Sequence, residues 1–260
     1  IADIARGLPG VNGINAGPDG RIFVTQLITP SKLLEVDLSG EKPARLVMDV
    51  PGKLNGFEID SEYQLYGPLS APGTIARVDI AEKEIHTVAE GFTAPISVNL
   101  TASGNVVVVD YETGEVFEVN AVEPLIGGAF SGTGSVAVVQ KEGREMLLVA
   151  DLFGHRCVDP VTGDVTMARH HNGYSNATFA VASPGAIYAG MVWKDSVQLF
   201  DPENNDPLTA YSGLDTPYDL DWLDGRLIVA EFGTDRLVRL GASPEDPAEV
   251  LVEGLEGPIA

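Results

Sequence analysis

A unit of four short strands recurs six times along this chain, and that recurrence restricts the fold more than any other feature. The first copy opens with VNGINA, turns at Gly17-Pro18-Asp19-Gly20 and returns as RIFVTQ, with KLLEVDLSG and ARLVMDV as its third and fourth strands. The second copy reads KLNGFEID, QLYGPL, TIARVDIAEKE and IHTVAEGF; the third ISVNLTASGN, VVVVD, GEVFEVN and PLIGGAF. The fourth is GSVAVVQKEGRE, MLLVAD, HRCVDPVTGD and VTMARHH. The fifth is NATFAVASPG, AIYAGM, SVQLFDPEN and PLTAYSGL, and the sixth YDLDWLDG, RLIVAE, RLVRLGASPED and AEVLVEGL. Short strands bounded by Gly, Pro, Asp and Asn predict an all-β chain. Four strands over roughly 40 residues is the period of a propeller blade. Apolar residues are densest in the first two strands of each unit, as expected of strands buried on both faces, and the Asp-Gly and Ser-Gly turns supply positive φ. No helical period or low-complexity segment interrupts the pattern. Residues 1–260 read as a single β-propeller domain of six or seven four-stranded blades.

The ends bear on that count. IADIARGL matches the fourth strands AEVLVEGL and HTVAEGF, while GLEGPIA matches the start of a first strand. Six complete units therefore lie between an unmatched fourth strand and an unmatched first strand. Two arrangements fit: seven blades, the closing one incomplete in this sequence, or six blades with one terminal segment used otherwise. The strand arithmetic leans towards seven.

Charge narrows the partners. Sixteen Lys and Arg stand against 38 Asp and Glu, a formal charge of −22. Such a field repels nucleic acid and anionic lipid and favours cations, so neither nucleic acid nor a membrane is an expected partner; a small-molecule substrate is expected at a ligand site of the propeller. No apolar run of about 18 residues is long enough to span a bilayer, and the first residues carry no basic segment followed by an apolar one. The lone cysteine, Cys157, excludes an intrachain disulfide and reads as a small apolar strand residue, although His155-Arg156 before it would lower a thiol pKa. The chain reads as soluble, either cytoplasmic or secreted without disulfides.

Placing the six units in register shows which side chains should meet. The openings of the first strands carry Asn12, Asn55, Ile96, Gly134, Asn176 and Tyr218. In a propeller these positions face the mouth of the central channel, the default ligand site. Asparagine oxygens suit hard cations such as Ca²⁺, and asparagine amides donate to substrate oxygens; asparagine before glycine is also ordinary turn chemistry. Asn12 and Tyr218 are thus candidate substrate contacts. Asp219 would replace Tyr218 on the inner side if the strand slid by one residue. The second strands end at Gln26, Leu69, Asp110, Asp151, Met191 and Glu231. Asp110 is a candidate substrate contact, and Asp151 and Glu231 are candidate general bases on the same face, unless these acids simply cap loops. His155 is read as lying in a loop between second and third strands, and His170 and His171 at the end of a fourth strand. Imidazole beside Asp151 would serve as a base. Tyr66, Trp193, Tyr211, Tyr218, Trp222 and Phe232 are read as core or as the lining of an apolar pocket. Nucleophile-elbow, P-loop, zincin and Cys-x-x-Cys motifs do not occur.

The segments VNGINAGPDGRIFVTQ, LNGFEIDSEYQLYGP and TPYDLDWLDGRLIVAE resemble the SMP-30/gluconolactonase-like superfamily of β-propellers and its streptogramin B lyase-like relatives. The resemblance spreads over nearly the whole chain. It implies a divalent cation, usually Ca²⁺, held by Glu, Asn and Asp at the openings of first strands. Asn55 and Asn176 match the family's asparagines, Asn12 or Val11 stands where its first glutamate would, and its later aspartate falls on Tyr218 with Asp219 alongside. In the lyase-like branch Glu231 matches the glutamate that ends a second strand, and Tyr218 replaces the histidine. The expected activity is hydrolysis of a lactone or another small cyclic ester. A cation on Asn12, Asn55, Asn176 and Asp219 would polarise the carbonyl, and Asp151 or His155 would activate water. The alternatives are a metal-free lyase or isomerase using Tyr218, Glu231 and the histidines His155, His170 and His171, and a non-catalytic propeller that binds a ligand or protein.

Overall fold

The computed structural model describes residues 11–26, 28–37, 41–70, 72–121, 123–128, 130–170, 179–181, 187–192, 195–223 and 225–255. The unmatched terminal segments fall largely outside these residues. Backbone contacts gather the chain into two compact units, 1–129 and 130–260. The described residues form strands and turns without a helix, so none is long and apolar enough to cross a membrane.

The first unit holds three antiparallel sheets. Strands β1 (Val11–Ala16), β2 (Ile22–Gln26), β3 (Ser31–Val36) and β4 (Arg45–Val50) pair in sequence order. So do β5 (Glu58–Ile59), β6 (Gln64–Leu69), β7 (Thr74–Asp79) and β8 (Glu84–Glu90). The third sheet contains β9 (Pro95–Leu100), β10 (Val106–Asp110) and β11 (Glu115–Glu118). The second unit repeats the scheme with β12 (Ser135–Lys141), β13 (Arg144–Asp151), β14 (Gly154–Val158) and β15 (Val165–His170). Its second sheet is β16 (Phe179–Val181), β17 (Tyr188–Val192), β18 (Ser196–Phe200) and β19 (Pro207–Ser212). Its third is β20 (Pro217–Leu223), β21 (Arg226–Glu231), β22 (Arg236–Arg239) and β23 (Glu249–Glu253). These six meandering sheets are the blades of a β-propeller fold.

The turn chemistry is local. In the first hairpin the Gly20 N–H donates to the Gly17 carbonyl at 2.9 Å, the Arg21 N–H donates to Asp19 Oδ1 at 3.0 Å, and Gly20 takes φ +81°. Within each unit the first strands of successive sheets are neighbours, and apolar side chains fill the space between adjacent sheets. Phe23, Leu33, Leu54 and Leu65 fill it between the first two sheets, and Ile75, Val98, Val106 and Val108 between the next two. In the second unit Met146, Leu148, Tyr188 and Phe200 play this part, followed by Val197, Leu220, Leu227 and Val229. Fully burying one such side chain contributes about 1.5–3 kcal/mol.

Three expectations are corrected. Burial is deepest in the second strands: β10 is buried at every position, whereas β1 keeps exposed and half-buried residues. A first strand is an edge of its sheet and pairs on one side only. The second sheet's first strand shrinks to Glu58–Ile59 plus a bridge from Leu54 to Leu69, because the chain bends at Asn55-Gly56. The third sheet's fourth strand shrinks to one bridge, Ile126 to Val116, beside Pro124 and the positive-φ Gly128. Cys157 lies on β14, fully buried, and burial pushes its thiol pKa up, so it is the apolar strand residue read from the sequence.

Two glycines with left-handed backbones separate strain from crowding. Gly73 (φ +67°) has the Phe92 carbonyl 2.1 Å from where a Cβ would sit, whereas Gly104 (φ +82°) has open space there. Gly104→Ala is expected to lower stability by about 1–2 kcal/mol in urea denaturation, the cost of the backbone conformation alone. Gly73→Ala should lose at least about 1 kcal/mol more, because a backbone carbonyl must move.

Candidate functional site

The register read from the sequence falls on a structural irregularity. Val11 pairs with Gln26 and Gly13 with Thr25, so Asn12 is an extra residue, a β-bulge. Ile96 is the extra residue between Pro95 opposite Asp110 and Ser97 opposite Val109. Tyr218 is the extra residue between Pro217 opposite Glu231 and Asp219 opposite Ala230. A bulge interrupts the alternation of sides and re-aims the side chain it carries.

In the first unit this geometry brings two predicted residues together. Asn12 Nδ2 donates to Asn55 Oδ1 at 2.5 Å, and the Gly56 N–H donates to the same oxygen at 3.1 Å. Alongside, Asn15 Nδ2 donates to Glu58 Oε2 at 3.0 Å and to the Phe57 carbonyl at 3.1 Å. Asn15 and Glu58 were not singled out in the sequence; both follow from their places on β1 and β5, next to the bulge and the bend. Of the other residues assigned to a cation, Asn176 lies outside the described residues and Asp219 belongs to the second unit. A divalent cation such as Ca²⁺ takes six to eight oxygen ligands. Here the Asn55 oxygen already receives two N–H groups, and Asn12 presents nitrogen to it. Among the described residues no group of three or more His, Cys, Asp and Glu is placed to hold a metal. The amides are turned to each other, an arrangement that does not fit such an ion.

The carboxylates ending second strands are engaged by protein donors. Asp110, 1% exposed, accepts from the Thr93 N–H at 2.7 Å and the Ala94 N–H at 3.2 Å, just before β9, and from the Glu112 N–H at 3.1 Å. Glu231, fully buried, accepts from the Asp215 N–H at 2.6 Å, just before β20, and from Arg236 Nε. Asp151, 4% exposed, pairs with Arg156 Nη1 at 3.0 Å and accepts from the Phe153 N–H at 2.9 Å, while the Arg156 guanidinium lies 4.7 Å from the Phe130 ring centroid. Asp110 and Asp151 tie down the loop after their own strand, and Glu231 holds the segment before β20 and the start of β22.

His155 is corrected from loop to strand. It lies on β14 opposite Ala150 and Arg169, 2% exposed, and packs edge-to-face on Phe179, Tyr188 and Phe200. Its Nε2 is 2.9 Å from Asn205 Oδ1 and 3.0 Å from the Tyr188 hydroxyl, which itself donates to Asn205 Oδ1. Burial raises the Tyr188 pKa far above its usual value. Arg156, next along β14, takes Asp151, and alternation turns the imidazole to the other side of the strand. His171 and Trp193 lie outside the described residues, and His170 is exposed at the end of β15.

Tyr218 and Asp219 present themselves differently. Tyr218 is 43% exposed, and its ring lies 6.0 Å from that of Phe232, itself 46% exposed and in the turn after β21. The Phe232 N–H donates to the Thr216 carbonyl at 3.0 Å, joining that turn to the start of β20. Asp219 is half-buried. Burial raises its pKa from 3.8 to about 7; the Leu220 N–H opposes that rise and the nearby Asp221 charge adds to it. A side chain reached by water yet surrounded by protein keeps its carboxyl poised near neutrality.

No protein-family profile and no curated protein sequence matches this chain. Among solved structures a streptogramin B lyase is similar over 96% of this chain and 85% of its own, with 11% identity and a TM-score of 0.74. At that identity the likeness is one of fold.

Two outcomes follow from these environments. The folded-state pKa of Asp219 lies above its ordinary 3.8, so the folded protein keeps a proton that the unfolded chain releases between about pH 4 and 7. This group's contribution to stability is therefore full below about pH 4 and lost as pH rises through 7. Asp219→Asn should be more stable than wild type at pH 8 by about 1–2 kcal/mol, allowing for solvent access, and little different at pH 4, by urea denaturation. Glu231→Ala strands Arg236 and the Asp215 N–H and should cost about 3–5 kcal/mol by the same measurement, with Glu231→Gln losing less because its amide oxygen still accepts.

Proposed function

We propose that this protein hydrolyses a lactone or another small cyclic ester, with Asp219 as the base that activates water. The observation that carries the reading is a half-buried carboxyl with a pKa of about 7, next to the bulged Tyr218 at the opening of a first strand. A base titrating near neutrality combines a large ionised fraction with useful basicity. Asp110, Asp151 and Glu231 are spent on backbone and arginine donors, and His155 is enclosed by aromatic rings. The likeness to a lyase of propeller fold and the family resemblance of the motifs both support chemistry on a small molecule.

Ionised Asp219 takes a proton from water as the water oxygen bonds to the acyl carbon. The tetrahedral adduct then breaks its ring C–O bond, and the departing alkoxide recovers the proton from Asp219. The product is a hydroxy acid, which ionises and leaves a protein of formal charge −22, whose field repels an anion. In this reading Tyr218, next to Asp219 in the bulge, donates its hydroxyl proton in a hydrogen bond to the carbonyl oxygen as that oxygen gains charge.

The test is a lactone panel assayed by acid release across pH, with the product analysed after reaction in ¹⁸O-water. Hydrolysis predicts one solvent oxygen in the product and a kcat/KM that rises with pH and levels off above about 7. Asp219→Asn should lower kcat/KM by about 10²–10⁴-fold. An unsaturated product without solvent oxygen would establish elimination, the same base having removed a proton from carbon. Full activity in Asp219→Asn would sink the assignment of the base.

A further inference from the structure

Large apolar side chains stand exposed just past the ends of four second strands. Ile28, Tyr111, Phe153 and Phe232 each follow the end of a second strand by one or two residues, and they are 36%, 38%, 52% and 46% exposed. A turn after a strand makes no demand for an apolar residue, and these side chains contribute little to the cores between sheets. Exposed apolar residues scattered singly need no explanation, but their return in the turns after four second strands does. In the second unit the recurrence meets the proposed base. Phe232 lies beside Tyr218 with ring planes inclined at 40°, which leaves an open, tilted pair of faces, and Asp219 follows Tyr218 directly in the bulge.

We infer that the ester opened at Asp219 carries an alkyl or aryl group, and that Tyr218 and Phe232 select it by covering that group. The inference rests on the lactonase reading and narrows its substrate class. A polyhydroxylated lactone needs several convergent donors and acceptors, since each hydroxyl removed from water without a partner is penalised. The two rings offer hydrocarbon and a single hydroxyl. A hydrocarbon substituent laid on them removes apolar surface from water on both partners, worth up to about fourfold in binding per methylene fully covered.

The full chain is assayed with γ-valerolactone, γ-octalactone, dihydrocoumarin and glucono-δ-lactone. Its binding of 5-butyl-2-pyrrolidinone, a lactam that resists hydrolysis, is followed through the aromatic proton resonances. The expected result is a kcat/KM that rises about twofold to fourfold per methylene from γ-valerolactone to γ-octalactone. Glucono-δ-lactone should lie at least tenfold below γ-octalactone. Phe232→Ser should raise KM for γ-octalactone about tenfold and weaken the lactam equally, with kcat held, while Phe232→Leu restores most of both. Lactones opened with a flat chain-length series, or with glucono-δ-lactone preferred, overturn the inference and leave the lactonase reading standing. Lactam binding that depends on Phe232 without turnover of any lactone supports the apolar selection and overturns the lactonase reading. Neither binding nor turnover overturns both.

Discussion

One backbone hydrogen bond, made just past the end of a second strand, ties that point to the segment leading into the first strand of the same sheet. The N–H of Ser70 donates to the Lys53 carbonyl at 3.1 Å, Tyr111 to Ala94 at 2.9 Å, Leu152 to Ser131 at 3.0 Å and Phe232 to Thr216 at 3.0 Å. A buried N–H left without an acceptor costs about as much as a lost hydrogen bond, so the loop is held wherever this contact is made. At Ile96 and Tyr218 the next step is a bulge, and the side chain there is turned out of the pleat. The exposure of Tyr218, the nearness of Phe232 and the environment of Asp219 all depend on that fixed starting point.

The acids divide by what surrounds them rather than by residue type. Asp110 and Glu231 occupy matching positions and reinforce the same loop through their carboxylates. A carboxylate that already accepts several N–H groups, or an arginine, has little hydrogen-bonding capacity left for a substrate. Asp219 receives the Leu220 N–H and lies near another acid, so desolvation dominates and its proton is retained to near neutrality. Chemistry at neutral pH is expected where the protein leaves a carboxyl incompletely compensated.

The legible part of the fold was the part with a period. VNGINA and RIFVTQ became β1 and β2, shorter by one residue in the second, because their alternation and the Gly-Pro-Asp-Gly turn are both local properties. The strands that shortened, at Glu58–Ile59 and at Ile126, contain glycines whose bend the alternation does not reveal. For the site, the register located Asn12, Ile96 and Tyr218, since the extra residue of a bulge comes at the same count in these three repeats. Asn12 and Asn55, 43 positions apart, were expected to converge and do hydrogen-bond. The sequence had no means of pairing His155 with Tyr188 and Asn205, because that contact joins one sheet to the next across an aromatic core.

Sequence alone determined the all-β class, the four-strand repeat and the positions at which first strands open, because strand alternation and turn chemistry act over a few residues. Tertiary structure alone decided which of those positions are chemically available. Nothing in the letters distinguishes Asp151 or Glu231 from Asp219, each an acid at a strand end or opening. The difference lies in the donors that folding brings to each: an arginine for Asp151 and Glu231, and for Asp219 a partly dry setting that leaves its proton to exchange near pH 7. Desolvation and charge pairing belong to the packed chain, and a repeat written along the sequence carries no record of them.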